Sequence, residues 1–202
     1  YHVDFETKQR TLKESGATYA SIVKSHRTPQ VVIMAGGLGT RLGEVTQRMP
    51  KSLVEVNGKP ILSHILDWAQ RQGCLNALVL TGHLGEQFDG FTHPGMVVNF
   101  HQEAEPLGTG GALWNARSLL EERFILLWGD DLHPIDYHSL LETHEKAGAP
   151  LTMTVTTEHE KMNLKHAEGR LEAYDKTEQT SELNGYESGT SVVEKSVVLD
   201  HG

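Results

Sequence analysis

Residues 31–62 read VVIMAGGLGTRLGEVTQRMPKSLVEVNGKPIL, a stretch in which an apolar run leads into a glycine-rich loop and then to two fixed cations. Glycines let a backbone turn tightly and bring its amide groups close to phosphate oxygens. An arginine and a lysine add the positive charge that a phosphate needs. The stretch is therefore a candidate for a loop that binds a phosphorylated small molecule, built from Gly36, Gly37, Gly39, Arg41 and Lys51.

Two common phosphate loops do not fit this stretch. The Walker pattern GxxxxGK[ST] is absent, because the Gly58-Lys59 pair is followed by Pro60. The dinucleotide fingerprint GxGxxG also fails, since Leu42 stands where the third glycine is needed. Taken alone, the stretch leaves two interpretations open: a phosphate-binding loop, and an ordinary glycine turn with two solvent-exposed cations.

The composition indicates a folded, acidic protein and argues against two classes of partner, nucleic acids and membranes. Of 202 residues, 38% are hydrophobic and 22% charged, and the formal net charge is −9. We expect no nucleic acid partner, because nucleic acids are bound by basic surfaces. We expect no membrane partner either, since no apolar run approaches the roughly 20 residues that cross a bilayer.

Cysteine and histidine usage argues against other classes of site. Cys74 is the one cysteine, which excludes an internal disulfide and favours a cytoplasmic location. The 12 histidines are scattered, and neither CxxC nor HExxH spacing occurs. A structural zinc site is therefore not expected.

Strands and helices alternate from Gln30 onward. Apolar runs at 30–36, 76–82, 95–101, 123–131 and 151–157 predict strands, and helical spacing over 60–73, 84–91, 108–122 and 135–148 predicts helices. Further strands are predicted at 169–176 and 189–198. This order predicts an α/β protein, a Rossmann-like three-layer sandwich whose mixed, mostly parallel sheet is covered on both faces. Residues 1–29 are polar, and we expect a linker or extension there, with a short helix compatible with 11–23.

The stretch from residue 36 to residue 62 resembles the signature of the sugar-1-phosphate nucleotidyltransferases, the nucleotide-sugar pyrophosphorylases. That signature runs GGxGTRL, a threonine, PK, an apolar stretch and GxPxL. Later segments agree in order: QEAEPLGTGGAL, LLWGDDL and LEAYDK. The wording EPLGTGGAL leans towards bacterial heptose-1-phosphate guanylyltransferases, with mannose-1-phosphate relatives close behind. The signature matches are Gly36, Gly37, Gly39, Thr40, Arg41, Leu42, Thr46, Pro50, Lys51, Gly58, Pro60 and Leu62.

The resemblance implies the nucleotide-diphospho-sugar transferase fold and transfer of a nucleotidyl group from an NTP to a sugar 1-phosphate, with Mg²⁺ as cofactor. The favoured pair is GTP with a heptose or mannose 1-phosphate. Arg41, Lys51 and Asp130 would be catalytic, with Asp130 binding Mg²⁺. Lys176 and Glu187 would contact the sugar phosphate. The implied nucleotide contacts are Ala35, Gly36, Gly37, Gly39, Thr40, Gln102, Gly108 and Thr109.

The match departs from the family at three points. PKSL stands where many members have PKPM or PKPL, a change we expect to alter packing alone. GYESGTSVV replaces the frequent Asn-Ala-Gly, which leaves Glu187 as the nearest polar candidate for the sugar. The family's second metal-binding aspartate would follow residue 202, so we expect residues 30–202 to be a nucleotidyltransferase domain truncated at its C-terminus.

Two other functions stay open at this point. Some relatives share this front half and transfer a nucleotidyl group to another phosphorylated acceptor, such as phosphocholine. A non-catalytic nucleotide-binding module would also keep the loop. Self-association into a homo-oligomer is a further expectation from the family.

Overall fold

The computed structural model describes residues 2–3, 10–11, 28–37, 48–175, 177 and 182–200. Within these residues the chain forms twelve strands and four α-helices. The helices are α1 (Ile61–Arg71), α2 (Gly108–Asn115), α3 (Tyr137–Ala147) and α4 (Lys195–Asp200). The strands are β1 (His2–Val3), β2 (Arg10–Thr11), β3 (Gln30–Met34), β4 (Glu55–Val56), β5 (Lys59–Pro60), β6 (Asn76–Thr81), β7 (Val97–Gln102), β8 (Arg123–Trp128), β9 (Leu151–Thr156), β10 (Leu164–Ala167), β11 (Arg170–Tyr174) and β12 (Tyr186–Glu194).

Six of these strands form the central sheet, in the order β7-β6-β3-β8-β12-β9. Strands β7, β6, β3 and β8 run parallel, whereas β12 is antiparallel to both of its neighbours. Three two-stranded hairpins lie outside this sheet: β1–β2, β4–β5 and β10–β11. The predicted mixed, mostly parallel sheet is confirmed.

Helices cover both faces of the sheet, because apolar side chains alternate along its strands. Val31 and Ile33 of β3 pack on one face with residues of α1 and α3. Val32 points the other way and packs with residues of α2 and α4. The three-layer sandwich expected from the sequence is therefore present. None of the described helices is both long and apolar enough to cross a membrane.

Local sequence signals explain both ends of α3 and the end of α1. Asp136 caps α3 by accepting a hydrogen bond from the His138 amide, and Gly148 ends it with a φ of 58°. Gly73, with a φ of 89°, follows α1. Pro60 was predicted in the first turn of α1, but it lies one residue earlier, where it pairs with Glu55 in the β4–β5 hairpin.

Several elements differ from the prediction. The helix predicted at 84–91 is only a 3-10 turn, Gly85–Phe88. α2 ends at Asn115 instead of residue 122, because the chain continues as a 3-10 turn at Arg117–Leu119. The predicted strand 189–198 ends at Glu194, since Lys195 turns away as its amide bonds the Glu122 carbonyl oxygen at 2.8 Å, and α4 begins there. Strand β10 was not predicted. The helix compatible with residues 11–23 lies outside the described residues except for Thr11, which belongs to β2.

Candidate active site

The carboxyl ends of four parallel strands meet at one edge of the sheet. Met34 of β3 pairs with Leu80 of β6 on one side and with Trp128 of β8 on the other. Gln102, the last residue of β7, pairs with Thr81 of β6. The loops that leave these strands are therefore neighbours, and ligands of parallel sheets bind at this edge.

The loop after β3 begins close against the loop after β8. The Ala35 amide donates to the Leu80 carbonyl oxygen at 2.8 Å, and the Gly129 amide donates to the Met34 carbonyl oxygen at 2.9 Å. A Cβ on Gly129 would lie 2.9 Å from that same Met34 oxygen, so the close approach requires glycine. Gly36 and Gly37 follow at this edge, while the predicted site residues Gly39, Thr40 and Arg41 lie outside the described residues.

The structure brings two of the predicted catalytic groups into direct contact. Lys51 Nζ lies 2.5 Å from Asp130 Oδ2. Asp130 follows β8, and Lys51 begins a 3-10 turn, Lys51–Leu53, which is closed by a bond from the Leu53 amide to the Pro50 carbonyl oxygen. Leu53 packs against the core cluster and anchors the turn. A cation and a carboxylate are thus held beside the glycine loop.

The hairpin after Lys51 fixes the direction of the chain. Asn57 and Gly58 both have positive φ angles, 52° and 72°, as expected for an Asn-Gly pair in a tight two-residue turn. The Ile61 amide then bonds the Val54 carbonyl oxygen at 3.0 Å and starts α1. The segment that carries Lys51 is therefore held between the core and a rigid turn.

Asp130 and Asp131, the carboxylates near Lys51, are too few to bind a metal ion alone. They suit a metal ion that is also coordinated by the bound nucleotide. Asp131 Oδ2 lies 3.0 Å from His133 Nε2, so this second carboxylate already has a partner. Among the described residues, no three His, Cys, Asp or Glu side chains group closely enough to hold a metal. Mg²⁺ commonly takes one or two carboxylates and completes its shell with phosphate oxygens and water. The Asp130 carboxylate suits that role.

A cavity of about 460 Å³ opens beside the glycine loop, between Gly82–His83 and Gln102–Pro106. The predicted base contact Gln102 lines it and donates from Nε2 to the Gly82 carbonyl oxygen at 3.2 Å. Glu103 continues the sheet ladder, since its amide bonds the Thr81 carbonyl oxygen at 2.9 Å. The cavity is therefore formed by the ends of β6 and β7.

Helix α2 begins at this cavity. The Leu107 amide donates to Glu103 Oε2 at 3.3 Å, which ties the start of the helix to the cavity wall. Gly108 follows with a φ of 72°, a conformation that favours glycine. The first amides of a helix lack intrahelical acceptors, so the amides of Gly108 and Thr109 can serve a ligand.

The predicted sugar-side residue Glu187 lies on β12. Its Oε2 accepts a hydrogen bond of 2.5 Å from the Tyr174 hydroxyl, and its amide donates to Asn163 Oδ1 at 2.9 Å. Burial, followed by the bond to Glu187, raises the pKa of Tyr174, so the phenol remains a donor. Two residues later, a Cβ on Gly189 would lie 2.8 Å from Trp128 Cδ1, so β12 runs close beside the end of β8. The other sugar-side candidate, Lys176, lies outside the described residues.

Sequence reasoning missed Glu103. The motif QEAEPLGTGGAL drew attention to Gln102, yet successive strand residues point to opposite faces, so either neighbour could have faced the β3 loop. In the structure, Glu103 Oε1 lies 3.0 Å from the position that a Cβ on Gly36 would take. A carboxylate directly after a strand, next to the glycine loop, was the available signal.

Comparison with known proteins identifies one family, whose model covers most strands of the central sheet. Residues 30–167 match the model of the family described as Nucleotidyl transferase. Over 130 residues the chain is 34% identical to a D-glycero-alpha-D-manno-heptose 1-phosphate guanylyltransferase of Aneurinibacillus thermoaerophilus, which covers 62% of this chain and 56% of that protein. Over 135 residues it is 34% identical to the mannose-1-phosphate guanylyltransferase catalytic subunit beta of Drosophila pseudoobscura pseudoobscura, covering 63% of this chain and 36% of that protein.

A solved structure agrees with these matches. The chain resembles HddC from Yersinia pseudotuberculosis, crystallised in complex with GMP-PN, with a TM-score of 0.72 and 26% identity. The similarity covers 86% of this chain and 80% of HddC. By contrast, the matched region spans only about half, 56%, of the bacterial guanylyltransferase and 36% of the insect one.

Proposed function

Because this chain belongs to the nucleotidyl transferase family, we propose that it transfers a nucleotidyl group from an NTP to a sugar 1-phosphate and releases pyrophosphate. We take GTP with a heptose or mannose 1-phosphate as its substrates, since relatives with these names are among its matches. The observation that carries the proposal is the contact of Lys51 with Asp130 beside the glycine loop. A cation and a carboxylate at that edge suit the phosphate groups of a nucleotide and the metal that accompanies them.

The reaction needs charge control more than acid–base chemistry. An oxygen of the sugar 1-phosphate attacks the α-phosphorus of the NTP, a new P–O bond forms, and the bond to the pyrophosphate breaks. The phosphate monoester is already a nucleophile at neutral pH, so no side chain has to remove a proton. The barrier is the approach of two anions and the charge on the leaving group, which positioning and electrostatic stabilisation lower.

On the nucleotide side, backbone groups and two cations share the binding. The amides of Gly36, Gly37, Gly39 and Thr40 would bind the phosphates, whereas the amide of Ala35, at the start of the loop, is bonded to the Leu80 carbonyl oxygen. Lys51 neutralises the α-phosphate as charge builds during attack, and Arg41 holds the departing pyrophosphate. The base enters the cavity beside β6 and β7, which Gln102 lines, and the backbone of Gly108 and Thr109 at the start of α2 would contact it.

Asp130 is the residue that would hold Mg²⁺. When bound, Mg²⁺ would supply positive charge that neutralises phosphate oxygens. Asp130 fits because its carboxylate is 40% exposed and lies at the strand ends, where a nucleotide can complete the coordination shell. Lys51, which contacts this carboxylate in the structure, would contact phosphate when nucleotide is bound.

On the acceptor side, Lys176 and Glu187 receive the sugar 1-phosphate. Lys176 attracts its phosphate. A carboxylate repels phosphate but accepts hydrogen bonds from sugar hydroxyls, so Glu187 contacts the sugar ring. Tyr174 holds that carboxylate in place through its hydroxyl group.

Pyrophosphate release tests this function directly. The purified chain is incubated with Mg²⁺, each of GTP, ATP, CTP and UTP, and heptose, mannose or glucose 1-phosphate, with phosphocholine as a further acceptor. We expect pyrophosphate only when a sugar 1-phosphate is present, and most with GTP. Release with phosphocholine alone would replace the acceptor in the proposal. Nucleotide binding without pyrophosphate from any acceptor would show a binding module instead.

A further inference from the structure

Two side chains of α1 hold the β4–β5 hairpin against the helix. Val56 and Lys59, which flank the Asn57-Gly58 turn, face each other in this hairpin. The Val56 carbonyl oxygen accepts a hydrogen bond from His64 Nε2 at 2.9 Å. The Lys59 ammonium donates to Asp67 Oδ2, three residues further along the helix. Residues three apart are neighbours on the surface of a helix, so α1 presents this histidine and this aspartate side by side to the hairpin.

Asp67 has a second partner. Its other oxygen, Oδ1, accepts a hydrogen bond from His93 Nε2 at 2.9 Å, and the side chain of His93 is only 2% exposed. The bond from Lys59 lowers the pKa of Asp67 against the effect of burial, so this carboxylate is charged at neutral pH. Both of its oxygens are therefore engaged, one by the hairpin and the other by the segment that leads into β7.

Two backbone hydrogen bonds connect the hairpin to Lys51. The Lys51 carbonyl oxygen accepts from the Val54 amide at 3.1 Å, and the Val54 carbonyl oxygen accepts from the Ile61 amide at 3.0 Å. Val54 and Ile61 enclose the hairpin, whose strands have two residues each. Because a two-stranded hairpin is marginally stable by itself in water, this one depends on the side chains of α1 to keep its place. A hairpin released from α1 would therefore loosen the turn that carries Lys51.

We propose that Asp67 is a positioning residue, which holds Lys59 and the hairpin against α1 and thereby fixes Lys51 beside Asp130. This inference rests on the proposed function, because there Lys51 neutralises the α-phosphate during transfer. Asp67 bonds Lys59 and His93, neither of which we place in contact with a substrate, so its effect on the rate passes through the hairpin. Small displacements of a catalytic group are costly, since an error of about 1 Å can lower a rate by about 100-fold.

Kinetics and hydrogen exchange of three variants test this role. Asp67→Asn keeps the shape of the side chain, but its amide offers one acceptor oxygen where the carboxylate offers two. We expect kcat for pyrophosphate release to fall about 10-fold or more, while the KM for the sugar 1-phosphate stays the same. Without ligand, the amides of Val54 and Ile61 should exchange with solvent about 10-fold faster or more. Lys59→Met should give the same two results, whereas Lys59→Arg, which keeps the cation, should retain the wild-type values.

Glu194→Gln separates positioning from stability. Glu194 pairs with Arg123 at the start of β8, away from the carboxyl ends of the parallel strands, and it accepts hydrogen bonds from Arg123 and His144. This variant also loses charge-assisted bonds, so its melting temperature should fall. Its kcat and the exchange of the Val54 and Ile61 amides should nevertheless match those of the wild type.

A double variant shows whether Asp67 acts through Lys51. In the Lys51→Ala background, Asp67→Asn should lower kcat by no more than about 2-fold, because the group that it positions is gone. An undiminished effect in that background, a wild-type kcat in Asp67→Asn, or unchanged exchange at Val54 and Ile61 would each overturn the role of Asp67 while the proposed function stands. If the wild type releases no pyrophosphate with any acceptor, the proposed function is wrong, and this role with it.

Discussion

Lys51 and Asp130 are 79 positions apart in the chain, yet their side chains meet at 2.5 Å at the carboxyl edge of the sheet. Each neutralises the other beside a loop of glycines. In the proposed reaction, Lys51 would contact phosphate and Asp130 would hold Mg²⁺. The pair contributes little to the stability of the fold, because ion pairs this exposed typically stabilise by no more than about 1 kcal/mol.

Removing either member of this pair should abolish turnover without unfolding the protein. We expect Lys51→Ala and Asp130→Ala each to lower kcat by about 100-fold or more, since each removes charge that stabilises the transition state. Melting temperatures should remain close to that of the wild type. Pyrophosphate release and thermal unfolding measure the two effects separately.

A matched control is available on α3. Lys146 forms an exposed ion pair with Glu142, and its side chain is 78% exposed. Lys146→Ala removes the same kind of cation from the surface and should leave both rate and stability unchanged. A normal rate in Lys51→Ala or Asp130→Ala would remove that residue from the mechanism.

Arg41→Lys should be damaging although it keeps the charge. A guanidinium can bind two phosphate oxygens at once through its planar fork, whereas an ammonium acts as a single point of charge. We expect kcat to fall by roughly 10-fold or more. Arg71→Lys, at the end of α1 and on the opposite edge of the sheet, is the control that should retain wild-type kinetics. Equal rates for the two variants would contradict a role for Arg41 in holding pyrophosphate.

Glu187→Gln should affect the acceptor and spare the nucleotide. The change keeps the shape of the side chain but weakens its hydrogen bonds to sugar hydroxyls and to Tyr174. We expect the KM for the sugar 1-phosphate to rise about 10-fold and the KM for the NTP to stay the same. Glu172→Gln on β11 serves as control. A rise in both KM values, or in neither, would be inconsistent with a sugar contact.

The ionisation of Glu194 makes the stability of the fold depend on pH. Burial alone would raise the pKa of Glu194, but hydrogen bonds from His144 and Arg123 outweigh it and hold the pKa below its usual value of 4.5. The stabilisation by this carboxylate is therefore complete above pH 4.5 and is lost as pH falls through the lower pKa of the folded protein.

Glu194→Gln should thus lower the free energy of unfolding by about 2 kcal/mol at pH 7, because charge-assisted hydrogen bonds are lost. Denaturant unfolding from pH 7 to pH 3 should show the gap between variant and wild type narrowing below pH 4.5. Glu142→Gln, on the exposed side of α3, should show no such gap. A gap that stays constant with pH would mean that the carboxylate charge does not contribute.

Much of the fold could be predicted because buried strands and helices have recognisable patterns of apolar residues in the sequence. Strands such as β3 and β6 are continuous apolar runs, and α1 shows helical spacing that ends before Gly73. No such pattern marks the end of β12 at Glu194. The stretch GTSVVEKSVV has a second pair of valines after Lys195, and the contacts of Lys195 with the segment before β8 mark the point where the strand ends and α4 begins.

Site residues that belong to a sequence motif could be predicted. Contacts that depend on packing between distant segments or on the pairing of strands could not. Gln102 and Gly108 belong to a recognisable segment; in the structure Gln102 lines the cavity, and Gly108 begins α2. The contact of Lys51 with Asp130 depends on how a turn packs against the end of β8, which spacing along the chain does not encode. Glu103 was missed because pairing along β6 decides which of two neighbouring polar residues meets the glycine loop.

The strand order β7-β6-β3-β8-β12-β9 has a consequence for how such a protein can diversify. The residues that we propose for the nucleotide follow β7, β6 and β3, the proposed sugar contact Glu187 lies on β12, and Asp130 follows β8 between them. In the proposed function, side chains on one flank could therefore change without disturbing the other, while the central pair is retained. The choice of nucleotide and the choice of sugar would then vary independently.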